Sequence, residues 1–133
     1  MVIAPQKMRE IVFQLLYSED FSGPVSEEMI DLLMEELRVS KKVMRSAIAT
    51  KEAIQLKKEE IDAQITSHLK AYSFDRIPSI ERNVLRLGAY ELLYATEVPG
   101  KVAIAEAMRL TRKFATAEAA LFVNAILDAM QKR

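Results

Sequence analysis

Apolar positions recur at helical spacing from the first residues onward. Met8, Ile11, Val12, Leu15 and Leu16 fall at i, i+3, i+4, i+7 and i+8 of one stripe, with Lys7, Arg9, Glu10 and Gln14 on other faces, which predicts a helix over roughly residues 5 to 19. Gly23-Pro24 then punctuates the chain. Ser26 is placed to cap a short acidic helix: Glu27 and Glu28 complement its positive end, and Met29, Leu32, Leu33 and Leu37 are expected to form its buried stripe. Between residues 40 and 73 the polar density rises. Even so, Val43, Ala47, Ile48 and Ile54 continue into Ile61, Ile65, Leu69 and Tyr72 with helical spacing, so one long helix is expected, either continuous or broken near residue 55. Pro78 and Ser79 restart the chain into a helix carrying Ile80, Val84, Leu87, Leu92 and Ala95. Gly88 inside that helix costs about 1 kcal/mol relative to Ala, and a residue that weakens its own helix usually permits close packing. Val98-Pro99-Gly100 is a tight stop, Lys101 to Phe114 is the next helix, and Thr116 can cap a last one carrying Ala119, Phe122, Val123, Ile126, Leu127 and Met130. No period-two alternation competes with these stripes. The fold class is therefore all-α.

Composition narrows the picture. The chain has 133 residues, half of them apolar and 29% charged, which fits one compact domain over residues 1–133 rather than a disordered chain. It has no Cys, so no disulfide framework, thiolate nucleophile or Cys-ligated metal can be built, and the cytoplasm is the expected compartment. Neither a secretory leader nor an uninterrupted apolar span is expected, and membrane association drops out. Lys+Arg and Asp+Glu are equal at 19 each, but the balance is not local. Residues 21–37 hold five acids and no base, whereas 38–58 hold seven bases and one acid. The ordinary reading is a solvated helix face; the other is a site for an anionic partner, with Lys41, Lys42 and Arg45 the first bases to test.

An enzyme would need a nucleophile with its base, a metal cluster or a phosphate cradle, and the inventory supplies none. The single His68 cannot make a two-His metal site and is expected at a surface or satisfied boundary position. Three glycines cannot supply a dinucleotide or phosphate loop. No catalytic residue, no metal and no cofactor are expected. Binding remains: Tyr17, Tyr90, Tyr94, Phe114 and Phe122 are either core or stacking platforms for unpaired bases.

The second half carries a set of blocks at fixed distances. They run Glu81-Arg82-x-Val84-Leu85-Arg86-Leu87-x-Ala89-Tyr90-Glu91-Leu92, then Val98-Pro99-x-Lys101-Val102-Ala103-Ile104-x-Glu106-Ala107, then Lys113-Phe114 and Phe122-Val123-Asn124-x-Ile126-Leu127-Asp128. With Arg9-Glu10 and Leu15-Leu16-Tyr17 near the start, they resemble the NusB family of bacterial transcription antitermination factors, most weakly between residues 21 and 75. The resemblance implies a compact bundle of about seven helices in two subdomains. It implies an adaptor that pairs with the ribosomal small-subunit protein NusE, binds the single-stranded boxA element of nascent ribosomal RNA transcripts and joins the antitermination complex on RNA polymerase. Carried over by position, Lys7, Arg9, Glu118 and Phe122 would meet RNA, and Tyr17, Asp75 and Glu81 would meet NusE.

Three departures accompany the resemblance. The family's N-terminal arginine cluster is reduced here to Lys7 and Arg9, and every phosphate left unneutralised weakens binding in a salt-dependent way. Ala105 stands where Asn commonly precedes the Glu, and Ala125 where Gly follows the Asn. An alternative from the same resemblance is a stand-alone relative of the RNA-positioning domain that precedes the catalytic domain of ribosomal RNA cytosine methyltransferases. A third reading is a homodimer formed through the 79–95 helix, whose stripes Ile80, Val84, Leu87 and Leu85, Ala89, Leu93 exceed what one core contact requires.

Overall fold

Local chemistry starts and stops each helix. A computed structural model describes residues 4–70 and 73–132. In it α1 (Pro5–Ser22) opens on a proline at the first helical position, where a missing N–H costs nothing. It runs past the predicted end near residue 19 to Gly23, whose positive φ of 79° turns the chain. Ser26 caps α2 (Glu27–Leu37) as predicted, its hydroxyl accepting from the Met29 N–H at 3.1 Å. α2 ends on Arg38 in the left-handed conformation, and Ser40 caps α3 (Lys41–Leu56) by accepting from the Val43 N–H at 3.2 Å. Of the two alternatives for this stretch the broken one holds, at Lys57: its N–H tightens to the Ile54 carbonyl three residues back, and its own carbonyl opens α4 (Lys58–Ser67). α4 stops well short of residue 73, and Tyr72 lies outside the described residues. After a 3-10 turn (Phe74–Arg76) come α5 (Ser79–Tyr94), α6 (Gly100–Phe114) and α7 (Ala117–Lys132). Thr116 caps α7, its hydroxyl accepting from the Ala119 N–H at 3.0 Å.

The chain divides into two compact units, Met1–Ala53 and Ile54–Arg133. In the first, Ile11, Val12, Phe13, Leu15 and Leu16 of α1 and Met44 and Ala47 of α3 are buried. One carboxylate organises their polar surroundings. Glu19 accepts from the Lys51 ammonium at 3.0 Å and from the Val25 N–H at 3.0 Å, joining the end of α1, the turn after it and α3. Both side chains are almost withdrawn from water, with 8% of the Lys51 and 11% of the Glu19 side-chain surface exposed, so each ion needs the other.

The expected stripe of α2 is corrected by the structure. None of its residues is buried, and Met29 and Leu32 are 43% and 59% exposed. The half-buried positions are Ile30, Leu33, Met34 and Leu37, an i, i+3, i+4, i+7 set in a different register. Six of the eleven α2 residues are apolar, so two stripes were available and tertiary packing chose between them.

In the second unit α5 is the central helix, packed against α4, α6 and α7. Every residue from Asn83 to Ala89 is buried. A Cβ on Gly88 would stand 2.8 Å from Leu127 Cδ1 and 3.4 Å from Ala107 Cβ, so the glycine lets α6 and α7 approach, as its cost in the helix suggested. The same burial removes Val84, Leu85, Leu87 and Ala89 from any dimer face, while Ile80 and Leu93, the outer members of the two stripes, are half-buried.

A buried cation lies inside this packing. The Arg86 guanidinium forks onto Asp62 of α4, Nε to Oδ1 at 2.9 Å and Nη2 to Oδ2 at 3.0 Å. Its Nη1 donates to Asn83 Oδ1 at 3.1 Å, and Asn83 Nδ2 donates to the Ser79 carbonyl at 2.8 Å. The Phe74 ring centroid lies 5.3 Å from the guanidinium carbon, tying the 3-10 turn to the same group. Replacing Asp62 by Ala leaves this guanidinium buried and uncompensated, and the expected loss is about 3 kcal/mol in urea denaturation. A loss below about 0.5 kcal/mol, the range of ordinary surface substitutions, would contradict the role given to the pair.

Candidate nucleic-acid interface and partner surface

The residues singled out for RNA divide between the two units. Lys7 is exposed and Arg9 half-buried on the first turns of α1, in the first unit. That helix start has no acidic residue in its first turn and no side-chain cap, so its positive end is left to complement anions. Arg9 makes contacts within the fold as well. Glu118 and Phe122 stand one turn apart on α7, in the second unit, Glu118 exposed and Phe122 half-buried. Thr116 fixes the start of the helix that carries both.

Two features of this α6–α7 corner lie outside the sequence-based expectations. Leu121, beside Phe122, is 65% exposed, because Ala120, Val123, Ile126, Leu127 and Met130 already complete the inward face of α7. The Lys113 ammonium lies 5.6 Å from the centroid of the Phe114 ring, so an aromatic face and a cation are presented together at the end of α6. Counting apolar positions beyond one stripe would have marked Leu121; nothing in the spacing marks the Lys113–Phe114 geometry.

The residues singled out for a protein partner also divide. Tyr17, half-buried on α1, stacks on the buried Phe13 with ring centroids 5.9 Å apart. Asp75 lies exposed in the 3-10 turn and Glu81 half-buried in the first turn of α5, at one corner of the second unit. The Phe74–Arg86 contact holds one side of this corner. Arg82 Nη1 holds the other by donating to the Ile77 carbonyl at 3.3 Å.

The remaining aromatic candidates are occupied. Tyr90 and Tyr94 pack at 5.6 Å between centroids, and Lys57 sits 5.4 Å from the Tyr94 centroid. The Tyr94 hydroxyl donates to Glu60 Oε2 at 2.5 Å. That hydrogen bond, with smaller contributions from burial and the Glu60 charge, holds the phenol above the usual tyrosine range. His68 is half-buried at the end of α4, its Nδ1–H donating to the Gln64 carbonyl at 2.9 Å, the satisfied boundary residue that was expected. Among the described residues no group of three or more His, Asp or Glu side chains gathers where a metal could sit. No described helix is long and apolar enough to cross a membrane.

Seven helices in two units, with no strand among the described residues, put the molecule in the class of all-α helical modules. Within that class the chain belongs to the NusB family, whose model matches residues 6–132. It is 40% identical to the transcription antitermination protein NusB of Chlamydia pneumoniae over 92% of this chain and 77% of that protein. To the protein of the same name from Dehalococcoides mccartyi it is 33% identical over 99% and 92% of the two chains. Among solved structures it superposes on T. maritima NusB with a TM-score of 0.84 at 32% identity, covering 100% and 94% of the two chains. A crystal structure of the antitermination factors NusB and NusE in complex with dsRNA matches with a TM-score of 0.82 at 31% identity over 96% and 95%. The two-subdomain, seven-helix expectation is borne out.

The phenol of Tyr94 stays protonated to higher pH than in the unfolded chain. Its hydrogen bond therefore stabilises the fold below about pH 10 and is lost as the pH rises through the raised pKa. In a spectrophotometric titration, Tyr94→Phe should remove a late-titrating phenol and Glu60→Gln should shift it back toward the ordinary range. A Tyr94 that titrates with free tyrosine would contradict the contact.

Proposed function

We propose that the chain is a transcription antitermination adaptor: together with NusE it binds boxA-type single-stranded RNA of nascent ribosomal RNA transcripts and links it to the antitermination complex on RNA polymerase. The observation that carries this reading is the match, over nearly the whole of both chains, to the NusB of a solved NusB–NusE–RNA complex. Coverage of 77% and 92% of the length of two curated relatives named for antitermination supports the adaptor over an RNA-positioning domain of a methyltransferase.

In this reading residues 1–133 act as one RNA-binding domain in the cytoplasm, without catalysis. Each side chain has a physical task. Lys7 and Arg9 neutralise phosphate at the positive start of α1. Phe122 offers a face for an unpaired base, and Glu118, one turn earlier, accepts a hydrogen bond from a base amino group. A carboxylate repels phosphate, so Glu118 serves selection rather than general affinity. Tyr17, Asp75 and Glu81 meet NusE, an apolar ring and two carboxylates suited to a basic partner.

Titration of boxA RNA, alone and with NusE, at two salt concentrations tests the proposal. Binding by the chain alone is expected to be weak, and NusE should tighten it. Phe122→Ala should weaken it roughly ten-fold through the missing stacking. Arg9→Ala should lower the slope of log affinity against log salt by about one. A duplex of the same sequence serves as the comparator, since the solved complex holds double-stranded RNA. Absence of any RNA binding in the presence of NusE would reject the proposal.

A further inference from the structure

A cleft in the first unit is lined by residues that pair off at i, i+4 spacing along two helices. Ile30 and Met34 of α2 and Met44 and Ile48 of α3 give it an apolar lining, with Met44 buried and the other three half-buried. Glu27 and Asp31 reach it from α2, Lys41 and Arg45 from α3, and all four are exposed. One helix thus contributes only acids and the other only bases, with apolar side chains from both, around a volume of about 190 Å³.

The connection between the helices fixes the cleft from one end. Arg38 takes the left-handed conformation at φ 56°, its N–H donates to the Glu35 carbonyl at 3.3 Å, and the Val39 N–H donates to the Met34 carbonyl at 3.1 Å, closing the last turn of α2. Ser40 then caps α3. These backbone contacts set the helix ends without help from the charged side chains: among the described residues Glu27, Asp31, Lys41 and Arg45 form no ion pair. Exposed charges gain little by closing on each other, so the walls stay charged and the apolar lining stays uncovered.

Size and charge together select the occupant. A cavity of about 150 Å³ holds one benzene ring, so this cleft takes a single apolar group of side-chain size and excludes a helix. An anion alone would meet the two carboxylates of α2, and a cation alone would meet the two bases of α3. We propose that the cleft binds a small zwitterion with an apolar body, the chemistry of an apolar α-amino acid: its side chain covers the Ile30, Met34, Met44 and Ile48 lining, its ammonium donates to the acids of α2 and its carboxylate accepts from the bases of α3. The charged partners are exposed and the ligand is small, so the Kd is on the order of 1 mM. Lys7, Arg9, Tyr17, Asp75, Glu81, Glu118 and Phe122 all lie outside α2 and α3, so the cleft neither uses nor depends on the proposed RNA and NusE positions.

Methyl NMR of the full chain, without RNA or NusE, tests it with free leucine as the probe. Leucine should move the methyl signals of Ile30, Met34, Met44 and Ile48 saturably. N-acetyl-leucine, which lacks the ammonium, and leucinamide, which lacks the carboxylate, should each bind roughly ten-fold more weakly. Glu27→Gln with Asp31→Asn should abolish the preference for leucine over N-acetyl-leucine, and Lys41→Gln with Arg45→Gln should abolish the preference over leucinamide. All four positions are exposed, and circular dichroism checks that the variants remain folded. Absence of saturable shifts at about 20 mM leucine, equal binding of the three probes, or variants that keep the native preferences would each overturn the proposal.

Discussion

The fork of Arg86 onto Asp62 is the constraint on which the second unit turns. A guanidinium withdrawn from water inside a helical core is costly unless its donors are matched, and here Asp62, Asn83 and the Phe74 ring match them. The match is also directional. Asp62 comes from α4, Asn83 and Arg86 from α5 and Phe74 from the 3-10 turn, so only one arrangement of these three elements satisfies the charge. That arrangement sets the corner where Asp75 and Glu81 are displayed. The displayed acids do none of the positioning; the buried cation does it for them.

The first unit uses the same device with the signs exchanged. Glu19 is the buried centre there, and Lys51 and the Val25 amide are drawn to it. Its effect is to hold the turn after α1, and so the entry to α2, although no residue of α2 is buried. A helix of eleven residues is marginal in isolation, so α2 depends on its Ser26 cap and on the anchored turn before it. Cheap anchoring of this kind leaves most of the α2 side chains free to face outward, acids and leucine alike.

Helix positions were legible because their causes are local. The hydroxyl caps at Ser26 and Thr116 and the crowding at Gly88 were each marked by residues a few places apart, whereas no residue marked the break beside Lys57. The register of α2 was not legible, because two stripes of comparable apolarity exist and only tertiary contacts distinguish them. Nor were the ion pairs: Glu19 and Lys51 are 32 residues apart, Asp62 and Arg86 are 24 apart, and no periodicity links such positions. The candidate site was legible in a different manner. Lys7, Arg9, Glu118 and Phe122 were singled out by resemblance, and the structure adds their settings: an uncapped positive helix start in one unit and a capped, one-turn pair in the other. Asp75 had no local signal at all, since a 3-10 turn of three residues leaves no repeat to detect.

In the proposed reading, the buried polar frames hold the outer side chains that RNA and NusE would meet. The decisive experiment is to follow the backbone amide NMR shifts of the isotopically labelled chain on adding boxA RNA, and separately on adding NusE. RNA should move the signals around Lys7, Arg9, Glu118 and Phe122, NusE should move those around Tyr17, Asp75 and Glu81, and Asn83–Arg86 should stay in place. Shifts absent from both sets, or centred on the Asp62–Arg86 pair instead of the displayed residues, would contradict this division of labour.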